Sequence, residues 1–387
     1  MFDLNKKEKP FTSFSGFGGG GLGLSAGAGG FDPIAFTSGS AYMYDCTYDS
    51  NQDRVVIAYM DQANSRYGTA VVAAITKNSI TFGTPVVFES AGTDQISIAY
   101  HSAQGKVVIC YEDEGNNDYG TAIAGTVNAS NNSISFGSPS VFRSATTTQI
   151  KSVYDSDNYR VVVGWRDDSS TDYSGKARTI NVSGTSVNFG TVATFETGQS
   201  GPSAMAFDNI EGKIVIGYND NENNHGGAVV VGDVDGSGNL TFGSKVAFAS
   251  GDAITYISVA YDPSNQRHVI TYRDMPDSNK GKARVASVSG TSITLLGSPV
   301  EFSSSAAYTS AVYDSANQKI VVSYMDGSNS NYGTSKVGTV SGSSINFGSA
   351  TVWNTVTSSY LESTYDPDTG KIIPIFSSGG RGKITLV

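Results

Sequence analysis

A chain of 387 residues has room for a large core, yet only 16% of its residues are charged and the net charge is −10, which excludes the basic stripe expected of a nucleic-acid-binding protein. No run approaches the length of a membrane-spanning helix, so membrane insertion is not expected. The two cysteines, Cys46 and Cys110, stand in no paired spacing and are expected as buried free thiols.

Residues 1 to 30 differ from everything after them. A basic patch at Lys6, Lys7 and Lys9 is followed by Phe11, Phe14 and Phe17 and then by a Gly/Ala/Ser tract through Gly30. Gly-rich chain lacks side chains that could offset its ordering entropy, so this segment forms no core alone. It is expected to be an N-terminal tether whose six lysines and phenylalanines dock on a partner. The opening residues show no apolar h-region and no small-residue cleavage site, so no secretory signal is expected and the chain is expected to be made in a cytoplasm.

From residue 31 onward the chain repeats. Tyr48/Tyr59, Tyr100/Tyr111, Tyr154/Trp165, Phe207/Tyr218, Tyr261/Tyr272, Tyr313/Tyr324 and Tyr365/Phe376 are seven aromatic pairs of equal internal spacing, and successive pairs lie 52 to 54 residues apart. That period suits propeller blades. In the second repeat, Gln95 to Tyr100, Lys106 to Tyr111, Thr121 to Val127 and Ser133 to Phe142 read as strands rich in Val, Ile, Tyr, Phe and Thr, separated by Ser, Asn, Asp and Gly clusters. The expected fold is all-β: a seven-bladed β-propeller of four-stranded antiparallel blades, strands A to D, spanning residues 31 to 387. The last repeat has only three strands. The N-terminal segment 31 to 38 (FDPIAFTS) is a shortened version of the D-strand motif FGTPVVFES at 82 to 90, and it is expected to close the last blade.

Several polar positions recur. Asp49, Asp155, Asp208, Asp262, Asp314 and Asp366 follow the first aromatic and open the A-to-B turn, where an Asp bonds the turn backbone. A basic residue (Arg54, Lys106, Arg160, Lys213, Arg267, Lys319, Lys371) starts each B strand. Positions repeated in nearly every blade are expected to hold the blade together. The B-to-C loops offer the best recognition chemistry: Asp61, Asn64 and Tyr67; Asp113, Asn116 and Tyr119; Asp167, Asp172 and Tyr173; Asp326, Asn329 and Tyr332. Aromatic faces stack on pyranose rings while carboxylates and amides bond hydroxyls, so these residues are the candidate glycan ligands. Blades four and five place His225 and Lys280 where the others have Tyr.

Dedicated chemistry is harder to find. His101, His225 and His268 occupy three unrelated local positions, with no metal spacing and no triad. The segment Asp233-Val-Asp235-Gly-Ser237 matches the first half of a calcium loop, but Ser244 stands where the bidentate Glu belongs, so a turn is expected and neither a metal nor another cofactor. The Asp-box of sialidases, Ser-x-Asp-x-Gly-x-Thr-Trp, is absent. On these grounds the chain is expected to be non-enzymatic, with a glycan hydrolase and a purely architectural protein as alternatives.

The N-terminal KKEKPFTSFSGFGGGG segment, together with blades carrying YGTA, SISFG and SPxxF elements, resembles appendage proteins of tailed bacteriophages, especially those infecting marine bacteria. The resemblance implies a virion location: a tail-fibre, tail-associated or decoration protein fastened to other virion proteins by residues 1 to 30, with the propeller meeting host-surface glycan. It carries over no catalytic residue.

Overall fold

The computed structural model describes residues 31–168, 173–251 and 253–387. The anchor candidates Lys6, Lys7, Lys9, Phe11, Phe14 and Phe17, and the loop acid Asp172, lie outside them.

Each aromatic pair marks one antiparallel meander. In the second repeat Val86–His101 pairs with Lys106–Asp113, which pairs with Tyr119–Asn128. The same A–B–C order recurs in the other six repeats. The B strands read as continuous apolar runs because both of their faces are covered. Their aromatic residues, Tyr59, Tyr111, Trp165, Tyr218, Tyr272, Tyr324 and Phe376, are at most 1% exposed.

The D position is filled in two short stretches. Ser133–Phe136 pairs with one half of its C strand, and Ser140 onward pairs with the other half. Its aromatic residue then crosses to the next repeat. Phe88 meets Tyr111 at 5.2 Å between ring centroids, Phe142 meets Trp165 at 5.3 Å, and Trp353 meets Phe376 at 4.8 Å. The same aromatic lies flat over the glycine that opens its C strand. A Cβ on Gly68, Gly120, Gly175, Gly227, Gly281, Gly333 or Gly382 would fall within 2.5 Å of Phe88, Phe142, Phe195, Phe248, Phe302, Trp353 or Phe36 respectively. This explains the glycine of the YGTA element: only a residue without a side chain admits the ring.

Phe36 in that series is the N-terminal contribution. Ile34–Ala35 pairs with Arg381–Ile384, the Phe36 amide donates to the Gly382 carbonyl at 3.0 Å, and the Thr385 hydroxyl donates to the Phe31 carbonyl at 2.6 Å. Phe36 also meets Tyr59 of the first repeat at 5.5 Å. The N-terminal strand therefore takes the outer place in the last meander and packs on the first. The inner strands touch in succession, and Ser359–Asp366 touches Ala41–Asp49.

Among the described residues the hydrogen-bonded sheets number five, not the seven separate four-stranded blades expected. Val86–His101 and Ser140–Asp155 each run unbroken from the D position of one repeat into the A position of the next, which joins three repeats into one 13-stranded sheet. Ser144 to Thr147 stay extended, whereas the corresponding crossings near Gly198, Gly201 and Gly251 end the strand.

The repeated polar residues do structural work. Asp155 accepts hydrogen bonds from the amides of Asp157 and Asn158 at 3.0 and 3.1 Å, and Asp208, Asp314 and Asp366 act likewise in their turns. His101, standing in place of the turn Asp, accepts from the Gln104 amide at 3.3 Å. Arg54 donates to Asn132 and to the Ala129 carbonyl of the next repeat. Both cysteines are buried free thiols. His268 is fully buried, and burial pulls its pKa down to about 4.

Candidate functional site

Every inner strand breaks its register near the end where the B-to-C loops emerge, and the break is a β-bulge. Six of the seven bulge residues hold a left-handed backbone: Met43, Gln95, Gln149, Tyr256, Tyr308 and Tyr360, with φ between 49° and 51°. The seventh is Pro202, whose ring fixes φ on the negative side. Non-glycine residues adopt this conformation only when their surroundings over-determine it, and such residues cluster at functional sites.

The bulges turn these residues into a central cavity of about 430 Å³, lined from all seven inner strands. One side is aromatic. Tyr256 and Tyr308 lie 4.6 Å apart, Tyr308 and Tyr360 5.5 Å, and Tyr42 meets Tyr360 at 5.6 Å. The Arg273 guanidinium covers the Tyr256 ring at 4.6 Å and donates to the Thr255 hydroxyl at 2.9 Å. The other side carries amides, with the Gln149 amide nitrogen of the backbone donating to Gln95 Oε1 at 3.1 Å. Gln149 Oε1 is buried and has no donor.

Two residues beyond each bulge the chain faces a deeper space of about 190 Å³. Six of the seven residues of that column line it, Asp45, Ser97, Lys151, Ala204, Ser258 and Glu362, and the sixth repeat contributes Thr309 in place of Ser310. Three carry charge. Lys151 Nζ lies 2.9 Å from Glu362 Oε1, the two side chains keeping 27% and 31% exposure into the channel. Asp45 Oδ2 accepts from Ser97 Oγ and from the Ile98 amide, each at 3.0 Å, and Oδ1 accepts from the Cys46 amide at 2.8 Å. Burial pushes the Asp45 carboxyl up to about 6, against the pull of Lys151 and with a further push from Glu362. The two carboxylates therefore sit in unequal surroundings, one bonded to amides and a hydroxyl, the other to an ammonium.

A second raised carboxyl stands on the rim. Burial first, then the charges of Asp94, Asp118, Glu114 and Asp168, push Glu112 up to about 8. The cations nearby are already paired: Arg66 with Glu114 and Arg166 with Asp168.

The loop residues proposed from sequence do not converge. Asp61 caps the short turn Gln62–Asn64 by accepting from the Ala63 amide at 3.1 Å, Asp167 is ion-paired with Arg143 at 3.0 Å, and Asp326 accepts from the Ser328 amide at 3.0 Å. Asp113 is buried in its loop. Asn64 and Asn329 are exposed at loop tips and Asn116 is half-buried. Tyr67, Tyr119 and Tyr332 start C strands, each paired across to its own Asp. Tyr173 sits one place earlier, in a left-handed loop position under Arg166. None of the described members of this set lines the central cavity. His225 needs a correction: Gly226 pairs with Asp220 and takes the Tyr place, and His225 precedes it. Among the calcium candidates, Asp233 is paired with Lys213 at 2.9 Å and Asp235 caps its turn through the amides of Ser237 and Asn239, so both are occupied by protein partners.

No protein-family model matches the chain, and no curated protein does. Solved structures resemble its fold. The NanB sialidase of Streptococcus pneumoniae, in complex with a chlorobenzylammonio ethanesulfonate, matches with a TM-score of 0.52 at 10% identity over 91% of this chain and 70% of that one. NanB with optactamide gives 0.54 at 11% over 92% and 70%. A protein from Lactobacillus plantarum gives 0.55 at 14% over 79% and 84%. The class is thereby defined: an all-β propeller of antiparallel sheets, similar in fold to a sialidase. The expectation of a non-enzymatic protein is corrected on this finding, because structures of an enzyme stand among those it resembles.

Proposed function

We propose that the seven meanders form one seven-bladed ring whose central cavity binds a glycan end and hydrolyses its glycosidic bond. The observation that carries this reading is the asymmetry of the cavity: tyrosines stacked along one side, amides on the other, and Asp45 and Glu362 with unequal partners beneath. Tyrosine faces match the apolar face of a pyranose, and amides match its hydroxyls. A carboxyl raised to about 6 still holds its proton in part near neutrality and suits the role of general acid. Asp45 gives that proton to the departing glycosidic oxygen as the bond to the anomeric carbon breaks, Glu362, oriented by Lys151, faces the positive charge developing there, and a water molecule adds to that carbon and returns a proton to Asp45.

The phage-appendage resemblance adds a location: a virion exterior, with residues 1 to 30 as the attachment to other virion proteins and host-surface glycan as the target. Its support is the sequence resemblance alone. The test is a glycan array with release of reducing sugar measured on the same samples, using the full chain, Asp45→Asn and Glu362→Gln. Binding by all three with turnover by the full chain only is the expected result. No binding by the full chain overturns the reading.

A further inference from the structure

We infer that the cavity has a second subsite, over the fourth repeat, and that its ligand is an uncharged oligosaccharide rather than a single sugar. The inference rests on the glycan reading above. Its basis is where the ring of bulge residues is interrupted. Six inner strands place a Met, Gln or Tyr at the bulge, whereas Pro202–Asp208 begins with Pro202. The next residue is Ser203, where the other repeats have Tyr44, Ile96, Ile150, Ile257, Thr309 and Leu361. Both positions of the fourth repeat are therefore reduced together.

The missing bulk coincides with a side cavity of about 320 Å³, which shares Gln149, Ser203 and Tyr256 with the central one and extends outward past Asn219, His225 and Thr255. This is room comparable to a further sugar unit on the scale of small-molecule sites. The lining is chemically apt. Tyr256 offers a ring face, and Arg273 holds that ring from one side. Gln149 lines both cavities and stands where they meet. Asn219 already donates to the carbonyls of His225 and Ile254, both at 2.7 Å, which fixes the floor of the side cavity. Among the described residues the lining carries amides, hydroxyls, an imidazole and a ring and no Lys, Arg, Asp or Glu, which suits a neutral, hydroxyl-rich unit.

The experiment is a glycan array carrying each neutral and acidic sugar as a single unit and as chains of two to six units, probed with the full chain, Ser203→Ile and Ser203→Tyr. Both replacements are residues that other repeats carry at this place, so at least one is expected to fold. The full chain is expected to hold neutral chains at least about tenfold more tightly than the corresponding single unit, and the folded variants to lose that difference. Affinity independent of chain length, unchanged length dependence in a folded variant, or preference for acidic chains each overturns the inference and leaves the glycan reading standing. Absence of any binding by the full chain overturns both.

Discussion

Asp45→Asn separates the carboxyl's cost to the fold from its use. In the native protein burial lifts Asp45 from 3.8 to about 6, and a difference of that size between folded and unfolded chains is worth about 3 kcal/mol. The sign follows from proton binding. Between about pH 4 and pH 6 the folded chain holds a proton that the unfolded chain has released, so the contribution is fully present below pH 4 and is lost as pH rises through 6. Asparagine cannot titrate, which removes this slope. It also turns one acceptor oxygen into a donor, and the bonds from Ser97 and Ile98 to Oδ2 are then compromised, at about 1 kcal/mol. The variant is therefore expected to be less stable than the native chain by about 1 kcal/mol at pH 4 and more stable by about 2 kcal/mol at pH 8. Urea denaturation of both proteins at half-unit steps measures the difference, in which the titrating groups that do not feel the Asp45 charge cancel, and Lys151 and Glu362 remain linked to it. Carboxyl NMR of Asp45 supplies the pKa directly. Parallel stability profiles from pH 4 to pH 8, or a resonance titrating near 4, would refute the reasoning.

Two further outcomes are expected. His268 is buried with its pKa lowered to about 4, and neither ring nitrogen has a hydrogen-bond partner. Its contribution has the opposite sign: the unfolded chain gains a proton below about 6.5, so stability falls by about 3 kcal/mol as pH drops from 6.5 through 4. His268→Leu is expected to flatten that limb in the same urea series, and an unchanged acid limb would count against it. Gly120→Ala drives a methyl into the Phe142 ring and into Thr147, and overpacking of this kind costs about 1–3 kcal/mol. Thermal unfolding is expected to show the loss, and Phe142→Leu in the same chain is expected to recover part of it.

The fold was largely legible because its grammar is repetitive. The second aromatic of each pair lies on a covered B strand, the YGTA glycine answers the D-strand ring, and Phe36 completes that series from the far end of the sequence, so one physical rule reads seven times. The site was not legible by the same route. Asp61, Asp113 and Asp326 drew attention because they recur, and recurrence marks what each loop needs for its own turn. Asp45, Lys151 and Glu362 stand three residues before Tyr48, Tyr154 and Tyr365, at a place where other repeats have Ser or Ala. Aligning the repeats at that column shows the exceptions. It does not show that a bulge turns the column into the cavity, because the residue at the bulge ranges from Met to Gln to Tyr to Pro and leaves no composition signal.

That arrangement has a consequence for how such a ring acquires chemistry. In six of the seven repeats a substitution at the column two places beyond the bulge enters the shared cavity, away from the buried B-strand aromatics and the D-strand ring contacts. The scaffold is held by the buried aromatics and by the pairing of Ile34–Ala35 with Arg381–Ile384, which leaves the inner column free to vary. The left-handed bulges are the strained element, and they occur where the cavity is lined rather than where the sheets stack. Removing the strain one residue at a time, as Pro202 does, opens a gap in the lining while the meander around it persists, so the ring can change the shape of its cavity without changing its fold.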